Sequence, residues 1–261
     1  MARPDEPTGA GVLVLSGSSG ALEEARARLF AAHGATALTI RWFGGEGQQP
    51  GPYEVPLETF TTALDRLASE TDRLGVLGTS FGAEAALLVA GVDPRVAGVV
   101  ACAPSSVVWA GVDDSVAGGR QTSHWTWRGE PLPFVRLDEG WSPHTDPPEF
   151  LGLYETSLAR ADAEAAIPAE RIAGEVLLVA GDDDRVWPSA EFARRIAGRR
   201  AAAGLPTRVV LGPGAGHRVV LPGETSVTRG QSMARGGTPV ADAALGTAAW
   251  PHVVEVLGLR A

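Results

Sequence analysis

The stretch Leu74 to Ala90, LGVLGTSFGAEAALLVA, decides the fold. Residues 74–78 form a short apolar run fit for a buried strand, Gly78-Thr79-Ser80-Phe81-Gly82 is a G-x-S-x-G motif, and Ala83 to Ala90 is apolar nearly all round before Gly91. Such a segment is a helix packed centrally against a sheet. A serine on so sharp a strand-to-helix turn is held in strained φ/ψ with its hydroxyl exposed, and flanking glycines remove the Cβ atoms that would clash. The motif alone is common by chance in a glycine-rich chain. With a strand before it and a helix after it, Ser80 becomes a candidate nucleophile.

On either side the same rhythm repeats. Apolar runs at 11–16, 36–41, 74–78, 96–102, 175–180 and 207–211 alternate with amphipathic or Ala-rich stretches, the pattern of parallel strands joined by crossover helices. Their Val and Leu content suits strands buried on both faces. Leu22, Ala25 and Leu29 predict one helix ending near Gly34, and Leu57, Phe60, Leu64 and Leu67, opened by Pro56, predict a second. The expected fold class is α/β, a mostly parallel doubly wound sheet flanked by helices. Residues 103–170 break the rhythm with Pro104, Pro131, Pro133, Pro143, Pro147 and Pro148 and four of the seven Trp. They are read as a cap inserted after the fourth predicted strand. With no linker in view, 1–261 is expected to be a single domain.

A serine hydroxyl needs a base, and the base needs an orienting carboxylate. Both types occur at later strand ends, in the order Ser, Asp, His. Gly181-Asp182-Asp183-Asp184-Arg185 follows strand 175–180, and Gly214-Ala215-Gly216-His217 follows strand 207–211. Asp184 is the expected acid because it lies furthest along its loop, with Asp182 second; the remaining aspartates would cap the turn or meet Arg185. His217 is the expected base, since its glycines permit close approach. His33 and His252 fall in predicted helices and read as structural. His124 and His144 fall in the insertion and read as solvated loop residues. The oxyanion hole needs two backbone N–H groups, one from Phe81 and one from the first strand-to-helix loop Ser16-Gly17-Ser18-Ser19-Gly20, through Ser18 or Ser19. That loop lacks both G-x-G-x-x-G and a P-loop lysine, which argues against a nucleotide site.

Composition narrows the function classes. The chain has 261 residues, is 44% hydrophobic and 20% charged, and has a formal charge of -9 without a basic run, the wrong field for nucleic acid. Cys102 is the only cysteine, so neither an intrachain disulfide nor a Cys-rich metal site is expected, and at a strand end it reads as a small buried hydrophobe. No metal and no cofactor are expected. No run is long enough for a signal segment or a membrane span, so the expected location is cytoplasmic. Trp109, Trp125, Trp127 and Trp141 could line an acyl pocket or pack the insertion. Arg120, Arg128, Arg136, Arg185 and Arg218 could meet a phosphorylated carrier or stand solvated.

By its motifs the chain resembles an α/β-hydrolase, more narrowly the catalytic, C-terminal domain of the acyl-CoA thioesterase and bile-acid-CoA:amino acid N-acyltransferase family. Gly17 to Gly20, VPLETF at 55–60, GVLGTSFGAEAALLVA at 75–90, APSSVVWAG at 103–111, WTWRGEPLPF at 125–134, VLLVAGDDDRVWPS at 176–189 and GPGAGH at 212–217 carry the resemblance. It maps the family's nucleophile onto Ser80, its acid onto Asp184 and its base onto His217. The family's acyl-transferring members use cysteine at the elbow and its hydrolytic members serine, so the resemblance implies hydrolysis of acyl-CoA or acyl-carrier thioesters. Carboxylesterase or lactone hydrolase, and transfer of the acyl group to an amine or alcohol, stand as alternatives within the enzymes; a ligand-binding module that has lost catalysis is the alternative outside them. The expected partners are a small acyl thioester or ester and an acyl carrier protein. The family's acyl-CoA enzymes carry an N-terminal β-sandwich ahead of this domain. Without it and the first two strands of the usual sheet, a second copy of the chain is expected to cover the sheet edge, giving a homo-oligomer.

Overall fold

The computed structural model describes residues 1–225 and 232–261. Six strands form the main sheet: β1 (Ala10–Leu15), β2 (Thr36–Thr39), β3 (Arg73–Thr79), β4 (Val96–Cys102), β5 (Glu175–Gly181) and β6 (Arg208–Gly212). Their order is β6-β5-β4-β3-β1-β2 and every pairing is parallel. Successive side chains point to opposite faces, so each strand feeds two cores. Leu13, Leu15, Val76, Val99, Ala101, Leu178 and Ala180 pack toward helices α2 (Glu58–Ala68), α3 (Phe81–Val92) and α5 (Ser189–Ala202). Val12, Val14, Leu77, Val100, Cys102, Leu177 and Val179 pack toward α1 (Glu24–Ala32) and α6 (Pro239–Leu257). This is the α/β-hydrolase fold. Among the described residues no helix is long and apolar enough to cross a membrane.

The second predicted helix buries its predicted face, with Phe60, Leu64 and Leu67 in the core. The first turns a different face inward. Leu22 lies outside α1 and is exposed, Ala25 is exposed, and the buried side consists of Arg26, Ala27 and Phe30. The periodicity of Leu22, Ala25 and Leu29 misled because a buried charge, invisible to an apolar pattern, occupies the inward stripe. At the sheet margin, Ala2 bonds Ala37 of β2 through both backbone groups, so the protein's own N-terminal segment meets that edge.

The insertion contains more regular structure than a loop. Ala110–Asp113 and Arg120–Ser123 form an antiparallel hairpin, Val55–Pro56, Trp125–Trp127 and Glu130–Pro131 form a small separate sheet, and helix α4 spans Leu151–Leu158. Two of its tryptophans are wholly buried: Trp109 packs with Tyr154 and Trp187, and Trp125 with Trp42 and Phe60. Both pack the insertion. Trp127 and Trp141 stay partly exposed, with the Arg128 guanidinium over the Trp127 ring at 5.5 Å.

Candidate active site

The carboxyl ends of β3, β5 and β6 bring three loops together. At the first, Ser80 has φ 59° and ψ −124°, a conformation that only a well-braced turn holds. The flanking glycines explain how. A Cβ at Gly78 would overlap the Gly82 carbonyl, and one at Gly82 would overlap the Ser16 carbonyl, so the turn closes this tightly only without them. The Ser80 N–H donates to the Cys102 carbonyl at the end of β4. Phe81 then opens α3, where the first N–H groups of a helix have no intrahelical acceptor.

At the second loop the three aspartates take three different partners. Asp182 accepts from the Gly214 N–H at 2.6 Å, and Asp183 accepts from Gly237 N–H and pairs with Arg185. The Gly237 N–H, ahead of Arg185, holds the Asp183 carboxyl below the usual carboxylate range. Asp184 is buried and turns inward, its Oδ1 accepting from the N–H groups of Val186 and Trp187 at 2.9 and 3.3 Å. Its Oδ2 lies 2.8 Å from His217 Nδ1. His217 Nε2 in turn lies 2.8 Å from Ser80 Oγ. An ionised carboxylate only accepts, so Nδ1 carries the proton and Nε2 is left to accept from the serine hydroxyl.

The third loop is braced on both sides of the imidazole. Gly216 N–H donates to Asp242 in the first turn of α6, and His217 N–H donates to the Arg235 carbonyl. The Trp187 ring meets the imidazole edge-on at 5.4 Å and is anchored through its Nε1 on the Ala103 carbonyl. A hydrogen-bonded line of carboxylate, imidazole and hydroxyl, oriented by backbone donors, is equipped to generate an alkoxide-like nucleophile. The loop 16–20 abuts it, since a Cβ on Gly17 would lie 3.0 Å from Ser80 Cβ. Ser18 and Ser19 are exposed, and Ser19 Oγ accepts from the Ala21 N–H.

Among the other sequence candidates, Cys102 is buried, and burial pushes its thiol up to about 11. His33 accepts its role at the end of α1, bonding the Arg260 carbonyl, and His144 lies exposed in its loop. Arg120 pairs with Glu54 and Asp113, Arg136 with Glu139, and Arg185 with Asp183 and Glu149. His124 overturns its expectation. It is buried, not solvated, and stacks on the Phe81 ring at 4.0 Å between ring centres with neither ring nitrogen hydrogen-bonded. The reason is its position between Trp109 and Trp125, whose rings carry it into the core with them.

Sequence reasoning missed Glu84. It sits on α3 one turn beyond Ser80, wholly buried, accepting from Trp125 Nε1 at 3.0 Å and Trp109 N–H at 3.4 Å with its Oε1 left unpartnered. Burial pushes its carboxyl up to about 8, against the weaker opposing effect of those two donors. One acidic residue in an otherwise apolar helix was the available signal.

Comparison with known proteins agrees with this architecture. A family model described as BAAT / Acyl-CoA thioester hydrolase C terminal matches residues 55–258. The chain is 27% identical over 259 residues to acyl-coenzyme A amino acid N-acyltransferase 2 of Mus musculus, covering 93% of this chain and 58% of that protein. It is also 27% identical over 256 residues to acyl-coenzyme A thioesterase 2, mitochondrial, of Homo sapiens, covering 93% of this chain and 50% of the other. The chain thus spans about half to three-fifths of the length of these relatives. Among solved structures, a Klebsiella pneumoniae protein assigned as a dienelactone hydrolase shares the fold with TM-score 0.54 at 17% identity, over 98% of this chain and 90% of that one.

Proposed function

The chain belongs to the BAAT / acyl-CoA thioester hydrolase C-terminal family, and from that premise we propose that it is a serine hydrolase of acyl thioesters. The leaving group in this reading is coenzyme A or the pantetheine of an acyl carrier protein. The observation that carries it is the continuous chain from Asp184 through His217 to Ser80, with 2.8 Å at each junction.

The chemistry follows from that chain. Ser80 Oγ attacks the thioester carbonyl while His217 Nε2 takes its proton, and Asp184 keeps the imidazole in the required tautomer and stabilises the imidazolium. The N–H groups of Phe81 and of Ser18 or Ser19 receive the developing oxyanion. The C–S bond then breaks, His217 returns the proton to sulfur, and the acyl group remains on Ser80 as an ester. Water, deprotonated by His217, attacks that ester, and collapse frees the carboxylic acid and restores Ser80. A thiol of pKa about 8.5 leaves more readily than an alcohol, which suits the first step to a thioester.

The test is release of free thiol from a panel of acyl-CoA and acyl-pantetheine substrates beside matched aryl esters, for wild type and Ser80→Ala. Thioester turnover that falls by roughly 10⁴-fold or more in the variant is the expected result. Turnover of oxygen esters alone overturns the thioester assignment, and full turnover without the Ser80 hydroxyl overturns the nucleophile. Candidate amine acceptors in the same assay yield an amide only if the acyl group is transferred and not hydrolysed.

A further inference from the structure

Arg26 lies on the first helix after the loop 16–20, on a face where an apolar residue would be expected, and it is 9% exposed. Every nitrogen of its guanidinium has a partner. Nε and Nη2 donate to Glu224 at 2.6 and 2.8 Å, Nη2 also donates to the Val219 carbonyl at 3.0 Å, and Nη1 donates to Thr79 Oγ1 at 3.0 Å. Glu224 additionally accepts from the Leu221 N–H at 2.9 Å, which folds the segment after His217 back onto the pair. Burial works against the Arg26 charge, and Glu224 more than offsets it, so the guanidinium stays a cation.

These partners are not scattered. Thr79 is the residue before Ser80, and Val219 stands two residues after His217. One planar group therefore spans the helix behind the loop 16–20, the turn that carries the serine and the loop that carries the histidine. A fork of five donors in fixed geometry can do this; a compact ammonium cannot reach all three at once.

We propose that Arg26 is a positioning residue for the reaction, holding Ser80 and His217 at hydrogen-bond separation through Thr79 and Val219. The proposal rests on the serine-hydrolase reading above. It does not require Arg26 to touch substrate. Loss of the clamp shifts one loop against the other, and a misplacement of about 1 Å at reacting atoms costs on the order of 100-fold in rate.

The experiment compares wild type, Ser80→Ala, Arg26→Lys, Arg26→Met, Arg26→Ala and Thr79→Val in the full chain. It measures kcat and KM for the thiol-release substrate, labelling of Ser80 by a fluorophosphonate, and thermal unfolding. Arg26→Met is expected to lower kcat on the order of 100-fold with KM nearly unchanged, and Arg26→Lys to recover little of it. Thr79→Val keeps the Arg26–Glu224 pair and removes a single bond to the elbow, so kcat is expected to fall about tenfold, with a smaller loss of unfolding temperature than in Arg26→Met, which also leaves Glu224 unpaired. Added ethylguanidinium is expected to restore part of the kcat of Arg26→Ala. A residue that only stabilised the fold would lower the unfolding temperature and leave kcat per labelled serine intact. Wild-type kcat in a folded Arg26→Met overturns the proposal; should that variant fail to fold, unchanged kcat in Thr79→Val overturns it. If wild type itself shows neither Ser80-dependent turnover nor labelling, the hydrolase reading has failed, and the positioning role falls with it.

Discussion

Two polar clusters adjoin Phe81, one through Ser80 and Trp187 and one through His124, and are built differently. On one side, Ser80, His217 and Asp184 are each hydrogen-bonded, and the loops that carry them are tied by backbone donors from Val186, Trp187, Gly214 and Gly216. On the other, His124 stacks on the Phe81 ring with both nitrogens unpartnered, and Glu84 keeps one oxygen unpartnered among Trp109, Trp125 and Tyr154. A satisfied buried network can hold a charge that appears during a reaction; an unsatisfied one excludes charge, because the cost of burying an unpaired ion exceeds that of staying neutral. Burial accordingly pushes Glu84 up to about 8 and His124 down to about 4, so around pH 6 to 7 both are uncharged. The difference teaches that the two groups packed near Phe81 add no charge beside the loops of Ser80 and His217, while the hydrogen-bonded line of Asp184, His217 and Ser80 is built to carry one.

The comparison breaks most visibly at the acid. Asp184→Asn should lower kcat on the order of 10⁴-fold by favouring the wrong histidine tautomer. Asp182→Asn, whose oxygen still accepts from Gly214, should change it by less than about threefold. Similar losses in both would dissolve the division of labour among the three aspartates.

Behind Phe81 the readout is stability against pH. The folded protein binds the Glu84 proton more tightly than the unfolded chain does, so this group's contribution is complete below pH 4.5 and is lost as pH rises through about 8. Glu84→Gln should therefore gain on wild type across that interval, on the order of 4 kcal/mol by denaturant titration, apart from a constant offset for the amide. His124 acts oppositely and less. Its folded form resists the proton, so stability is lost as pH falls from 6.5 toward 4, on the order of 3 kcal/mol, and His124→Phe should remove that acid limb. In wild type the two slopes oppose each other between pH 4.5 and 6.5, and a decline is expected above 6.5. Parallel curves for wild type and both variants would mean that the cluster is wet or ion-paired in solution.

What could be read in advance follows the same division. The strands, the elbow and the loops of Asp184 and His217 depend on local rules: apolar runs of strand length, glycines where Cβ atoms collide, and carboxylate and imidazole at strand ends. The reading of Leu22, Ala25 and Leu29 failed because α1 buries Arg26, and its partners Thr79 and Glu224 lie 53 and 198 residues away. His124 was misjudged for a related reason. Its burial comes from Trp109 and Trp125 packing on α3, a contact set by tertiary assembly and without periodicity. The hairpin at 110–123 was likewise hidden in a segment whose prolines and short strands resemble irregular loop.

The backbone at Ser80 has a consequence for how such a chain changes over time. A non-glycine residue in that conformation costs about 1–3 kcal/mol that the surrounding turn must absorb. A glycine there would relieve the strain, so a lineage released from selection for turnover would gain robustness by discarding the serine first. At this one position the group fitted to react and the residue fitted to the backbone are different residues, so stability and reactivity pull in opposite directions.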